Sequence, residues 1–93
     1  MKHALPEKRN PYRMRDKALE DGWQTLDTIP RYGEGVFLVL TFSGLIRTAR
    51  MARRFPRIKK ADGYGPERVT VIATESGNYL TAIAWKWPVE PSN

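Results

Sequence analysis

The chain has 93 residues, of which 41% are hydrophobic, so it fits one small domain with a modest core. It contains no cysteine, which excludes disulfide bonds, thiolate metal sites and a cysteine nucleophile. Its net charge of +6 is concentrated in two places, the first 20 residues and residues 47–68, where eight Lys/Arg stand against two acidic residues. Clustered positive charge favours an anionic partner.

The first 22 residues are predicted to form a flexible basic tail that contains one short helix. Asn10 followed by Pro11 is typical of a helix N-cap and first helical position, and Gly22 supplies a stop, so a helix over 11–21 is expected. Its few apolar residues favour ordering on contact with a partner. The chain start lacks the apolar core of a secretory signal, and no apolar stretch is long enough to span a bilayer. A cytoplasmic protein without membrane contact is therefore expected.

Two similar phrases follow along the chain. The first runs from Tyr32-Gly33 to Thr48-Ala49 in the order Tyr-Gly, Glu, Val, Thr, Ser-Gly, Thr-Ala. The second, from Tyr64-Gly65 to Thr81-Ala82, keeps that order with Pro66 inserted. A phrase repeated at a fixed offset is typical of one supersecondary unit used twice. Convergence of two hairpins on the same turn and strand residues would give the same likeness, and both explanations stay open.

Each phrase predicts a β-hairpin. Residues 36–42 are apolar on both faces, which indicates a strand that is covered on both sides. Residues 45–52 fit either a basic amphipathic helix or a returning strand, and the likeness to the second phrase decides for the strand. With Ser43-Gly44 as a two-residue loop, Phe42 is expected to face Leu45, and Arg50 to lie opposite Phe37.

The sequence therefore predicts a mainly β fold, with a small α+β fold as the alternative. We expect an antiparallel sheet or a partly open barrel from two related hairpins, at about 36–52 and 69–87. One small β domain over 23–91 would contain them both. In the last strand, alternation is expected to place Tyr79, Thr81, Ile83, Trp85 and Trp87 on one face.

The two phrases differ most in their return strands. In the first, Arg47, Arg50 and Arg54 stand where the second has Leu80, Ile83 and Trp87. This difference predicts that the first return strand lies at an edge of the sheet with its guanidinium groups in water. A charged edge also prevents sheet-to-sheet aggregation, which is a purely structural explanation of the arginines.

A basic loop is predicted beyond that strand, where Pro56 interrupts a run of Arg and Lys with Phe55 among them. Basic residues with an interleaved aromatic are what a site for phosphates and bases needs. A solvated loop kept soluble by its charges is the alternative. The sequence thus predicts a nucleic-acid-binding surface formed by Arg47, Arg50, Arg53, Arg54, Arg57, Lys59 and Lys60.

Catalysis is not expected. His3 is the only histidine and lies in the tail, and no Gly-rich phosphate loop or nucleophile elbow occurs. No metal, cofactor or small-molecule substrate is indicated. The alternative to nucleic-acid binding is a protein-interaction or structural accessory module, acting as a homodimer or on a protein partner, with Trp87 as the partner-binding residue.

One further pattern runs through residues 23–91. It begins with a Trp, a hydrophobic pair and a Pro, continues with a Gly before a Val/Leu-rich strand, and ends in a Trp followed by a Pro-rich tail. The matching residues are Trp23, Leu26, Ile29-Pro30, Gly35-Val36, Leu38-Val39, Ala84-Trp85, Pro88 and Pro91. This pattern resembles a small phage- and prophage-associated bacterial domain family of unknown function. The resemblance implies an accessory protein of bacterial or phage origin and assigns no functional residues. Trp87 and the basic stretch 47–60 depart from the pattern.

Overall fold

A computed structural model describes residues 10–54 and 57–89. Residues 1–9 of the predicted tail, Phe55 and Pro56 of the predicted loop, and Pro91 lie outside the described residues. One α-helix and four strands make up the described fold: α1 Pro11–Glu20, β1 Val36–Thr41, β2 Ile46–Met51, β3 Val69–Ala73 and β4 Tyr79–Lys86. A short 3₁₀ turn, Leu26–Thr28, lies between α1 and β1.

The four strands form a closed antiparallel barrel in the order β1-β2-β3-β4, with β4 pairing back onto β1. The predicted mainly β fold of two hairpins with one short helix is confirmed. The predicted edge position of the first return strand is wrong. This strand, β2, pairs with β1 on one side, as at Phe37–Ala49, and with β3 on the other, as at Arg50–Ile72. Closing the sheet into a barrel gives each strand a neighbour on both sides, so no strand lies at an edge over its whole length.

Helix α1 begins and ends as its sequence predicts. The side-chain oxygen of Asn10 accepts a hydrogen bond from the backbone N–H of Tyr12 at 3.0 Å, which satisfies a free donor of the first turn. At the other end, the N–H of Trp23 donates to the carbonyl of Ala18 at 3.0 Å, and the N–H of Gly22 donates to that of Leu19. These two bonds are the Schellman pattern, and they bring Trp23 back onto Ala18.

The helix belongs to the folded body, which therefore begins before Trp23. An outer cluster of buried residues lies between α1 and the barrel: Ala18, Trp23, Leu40, Ile83 and Ala84. Leu38 packs against this cluster, whereas Phe37 and Val39 of the same strand lie in the barrel interior. The prediction that the first strand is covered on both sides is confirmed.

The first hairpin has a three-residue loop, so the predicted two-residue loop is wrong. The N–H of Gly44 donates to the carbonyl of Thr41 at 2.9 Å, and the N–H of Thr41 donates to the carbonyl of Leu45 at 2.7 Å. Gly44 has φ +93°, the left-handed conformation that follows a type I turn in loops of this length. The extra loop residue shifts the pairing by one, so Ala49 and not Arg50 lies opposite Phe37.

A bulge in β4 divides the face that alternation predicts for this strand. The pairing of β1 with β4 shifts between Leu40–Ala84 and Thr41–Ala82, which leaves Ile83 as an extra residue. Ile83 consequently belongs to the outer cluster, while Trp85 points into the barrel. The prediction of one shared face from Tyr79 to Trp87 is wrong because the bulge reverses the alternation within it.

The two phrases are not superimposable residue by residue. Phe37 and Val39 are the β1 residues that face the barrel interior, and Val69 and Val71 are the β3 residues that face it. The sequence alignment instead matches Val69 to Val36, which is 44% exposed. The second loop is longer, because its closing bond runs from the N–H of Ala73 to the carbonyl of Asn78.

A small hairpin over residues 59–68 connects β2 to β3. Lys59 and Arg68 exchange two backbone hydrogen bonds, of 2.7 and 3.0 Å. At its turn, one carboxylate oxygen of Asp62 accepts from the N–H groups of Tyr64 and Gly65, and the other accepts from the Arg68 guanidinium at 2.9 Å. The hairpin is docked on the body, since the Tyr12 hydroxyl donates to the Asp62 carbonyl and the Arg68 guanidinium lies 5.6 Å from the Phe42 ring centre.

We expect Gly44→Ala to destabilise the protein by about 1–2 kcal/mol, because a side chain there must adopt a left-handed conformation. The added Cβ would also lie 2.9 Å from the Met14 sulfur. Urea unfolding followed by circular dichroism measures the change. Gly63→Ala is the matched control, since its φ is not positive and nothing lies within 4 Å of its Cβ position. Equal midpoints for the two variants would contradict the three-residue loop.

The ion pair of the small hairpin predicts a stability change in acid. The hydrogen bond from Arg68, with those from two backbone N–H groups, holds the pKa of Asp62 below its ordinary value of 3.8. Ionised Asp62 therefore stabilises the folded state above that value, and the contribution is lost as pH falls through the lowered pKa.

Asp62→Asn should lower the thermal midpoint at neutral pH, and the difference from the parent protein should shrink below about pH 4. Circular dichroism melts across this range test it. Glu75→Gln, at an exposed residue with no ion pair in the described part of the chain, should leave the midpoint unchanged. A difference for Asp62→Asn that stays constant with pH would contradict this role.

Candidate functional site

All seven predicted nucleic-acid-binding residues are exposed, but the fold divides them among four places. Arg50 and Arg53 share one cleft at the rim of the barrel. Arg47 lines a second cleft between the two hairpin tips. Arg57, Lys59 and Lys60 lie in the connection before β3 and line neither cleft. Arg54 is exposed in the bend after β2.

The cleft at the rim has a volume of about 430 Å³ and combines cationic, aromatic and apolar groups. We call it the rim cleft. Its lining includes Tyr32, Gly33, Gly35, Val36, Arg50 and Arg53. The size lies within the range of small-ligand sites, roughly 300–1,000 Å³.

Strand alternation explains why Arg50 reaches this surface. Ala49 and Met51 are buried in the barrel interior, so Arg50 between them points outward. Its neighbours across the sheet are Val36 of β1 and Ile72 of β3. Arg50 is therefore a cation on an apolar, partly exposed floor.

The loop before β1 supplies the aromatic side of the rim cleft. It turns through a bond from the N–H of Glu34 to the carbonyl of Arg31 at 3.0 Å. The Glu34 carboxylate in turn accepts from the N–H of Arg31, which draws the acid back to its own loop. Tyr32 at the tip of this turn is 59% exposed.

Trp87 lies next to Gly35 of the cleft, although it does not line the cleft itself. The Trp87 ring lies 3.9 Å from the position that a Cβ on Gly35 would occupy. Trp87 is held at the barrel end by edge contacts, with its ring centre 5.2 Å from that of Trp85 and 6.5 Å from that of Phe37. It stays 48% exposed, and its predicted role in partner binding stays a prediction.

The arginines differ in whether they already have a partner. Arg68 forms an ion pair with Asp62, and Arg15 forms one with Asp16. Within residues 10–54 and 57–89, neither Arg50 nor Arg53 forms an ion pair or a side-chain hydrogen bond. Their guanidinium groups are therefore available to an anionic ligand without breaking a bond of the fold.

Arg47 has a local structural role instead. Beyond Ala49–Ala73 the N–H of Thr74 still donates to the carbonyl of Thr48 at 3.1 Å, so only Ile46 and Arg47 at the start of β2 form a short open edge on that side. The Arg47 guanidinium donates to the carbonyl of Ile46 at 3.3 Å, which covers this short open edge. The cleft of about 590 Å³ beside it also contains the acidic Glu75.

Sequence reasoning missed Tyr32 as a site residue. The available signal was its Tyr-Gly-Glu-Gly setting, where two glycines leave the aromatic ring without bulky neighbours. Tyr64-Gly65 has the same first two residues, but Tyr64 lies in the small hairpin away from the lining of the rim cleft. Only the fold separates the two tyrosines.

No protein-family model, curated protein or solved structure matches the chain. The resemblance to a phage-associated family thus stays a prediction. In the described ranges, no helix is long and apolar enough to cross a membrane. Those ranges also contain no group of three or more His, Cys, Asp or Glu side chains placed to hold a metal ion.

Proposed function

We propose that the protein is a non-catalytic module that binds nucleic acid through its phosphate backbone, and that the rim cleft is the contact site. The proposal rests on one observation: Arg50, Arg53 and the exposed Tyr32 line the same cleft, and neither arginine has an ion-pair partner among the described residues. Such a ligand also agrees with the cytoplasmic location that the sequence predicts.

The chemistry of the two arginines suits phosphate. A guanidinium group is always charged and donates two parallel hydrogen bonds to phosphate oxygens. Arg54, Arg57, Lys59 and Lys60 add positive potential from the adjoining segment, which accelerates encounter with a polyanion. The predicted seven-residue binding surface is thus divided by role. Arg50 and Arg53 contact the phosphates, and Arg54, Arg57, Lys59 and Lys60 attract the ligand. Arg47 covers the open edge of β2.

Replacing both cleft arginines, Arg50→Ala with Arg53→Ala, should weaken binding at least about tenfold at low salt. It should also reduce the slope of log K against log salt by about 1.4–1.8, since each lost phosphate contact removes about 0.7–0.9. Fluorescence anisotropy with a labelled mixed-sequence oligonucleotide, at about 50 and 200 mM salt, measures both quantities.

The control is Lys17→Ala with Arg47→Ala, which removes the same charge from exposed positions outside the rim cleft. We expect it to keep most of the affinity. An equal loss in the control pair, or no binding by the parent protein at low salt, would overturn the assignment of this cleft.

A second candidate function is a protein-interaction or structural accessory module of phage or prophage origin. The exposed aromatic and apolar groups around the rim cleft favour it, because Trp, Tyr and Arg are enriched at the centres of protein interfaces. Trp87, Tyr32 and Val36 are 48%, 59% and 44% exposed.

Sedimentation at several protein concentrations separates this candidate from the first. A concentration-dependent dimer that Trp87→Ala abolishes, with no oligonucleotide bound, would favour the accessory module. A monomer at all concentrations would argue against the homodimer.

A further inference from the structure

We infer that the rim cleft takes single-stranded nucleic acid in preference to duplex, with one unstacked base lying on the Tyr32 ring. This inference rests on the proposed function and specifies its ligand. It is carried by the position of Tyr32 relative to the two arginines and to the apolar floor of the cleft.

Tyr32 is presented in the manner of a stacking platform. Tyr32 is 59% exposed although it lines a concave site. Val36 and the partly buried Ile72 supply apolar surface beside it, and Arg50 lies between these two residues across the sheet. A base needs this kind of surface against its face, while its phosphates need the guanidinium groups at the border.

A duplex cannot use this arrangement well. Its bases are stacked on each other and show only their edges in the grooves, so no base face is free for Tyr32. Reading a major groove takes a protruding helix or ribbon, whereas the arginines here lie along a concave barrel wall. Helix α1 packs on the barrel through Ala18, and its Arg15 is paired with Asp16.

The glycines of the loop fit the same ligand. Gly33 and Gly35 line the cleft and have no side chains, so a nucleic-acid strand can approach the protein backbone closely there. Trp87, which is half exposed, lies on the far side of Gly35, outside the cleft lining, and we expect a neighbouring base to contact it there. A cleft of about 430 Å³ is large enough for a nucleotide-sized ligand.

Trp87 provides a spectroscopic readout of this placement. Of the three tryptophans, Trp85 is 2% and Trp23 is 9% exposed, whereas Trp87 is 48% exposed. Quenching of tryptophan emission by an added base therefore reports mainly on Trp87. The variant Trp87→Phe should lose this quenching.

The test compares a labelled mixed-sequence single strand with a duplex of the same sequence, by anisotropy and by tryptophan emission. We expect the single strand to bind at least about tenfold more tightly and to quench the emission. Tyr32→Ala should weaken single-strand binding by roughly tenfold, and Tyr32→Phe should retain it because the ring is kept. Tyr64→Ala is the matched control, since Tyr64 is 84% exposed but does not line the cleft.

The outcomes separate the two proposals. No binding of either ligand overturns the proposed function and this inference together. Equal binding of both ligands, with Tyr32→Ala behaving like Tyr64→Ala, leaves nucleic-acid binding in place and overturns the single-strand inference. Tight single-strand binding with unchanged tryptophan emission overturns the placement of the base beside Trp87.

Discussion

Closure of the barrel depends on the placement of Trp85. Its indole N–H donates to the carbonyl of Thr25 at 3.0 Å and to the Thr28 hydroxyl at 3.2 Å, and its backbone pairs with Gln24. Its ring meets Phe37 edge to face in the interior. Trp85 thus ties the segment after the helix, β1 and β4 together. The bulge at Ile83 in the β1–β4 pairing turns the Trp85 ring inward, so one extra residue determines how the sheet closes.

Closure also explains how the basic strand β2 can pair with a neighbour on each side. In β2 the small or flexible residues Ala49 and Met51 fill the interior, and Arg50 between them points outward into water. Arg47 lies on the same side of the strand as Ala49, but at the hairpin end, where it is exposed. The strand keeps both neighbours because no charge has to be buried. The same alternation gives Arg47 and Arg50 different surroundings, a hairpin-tip cleft for one and the rim cleft for the other. A row of charges in the sequence therefore becomes several separate surfaces.

The features that could be predicted from the sequence are those with local causes. Asn10, Pro11 and Gly22 delimit the helix because capping is decided within one turn, and the apolar run of β1 predicts cover on both faces. The hairpin register could not be predicted, since it depends on whether Gly44 adds a third loop residue. The β4 bulge and the β2–β3 pairing are long-range, so alternation alone misplaced Trp85. Arg50 and Arg53 were predicted as binding residues, but their grouping with Tyr32 requires the fold.

The proposed function requires that the rim cleft, and not the basic connection before β3, receives the ligand. A titration of isotope-labelled protein with a short single-stranded oligonucleotide, followed through the backbone amide chemical shifts, tests it most directly. We expect the largest changes at residues 32–36, at residues 50–53 and at Ile72, with small changes at residues 57–64. The largest changes at residues 57–64, with residues 32–36 unaffected, would contradict it.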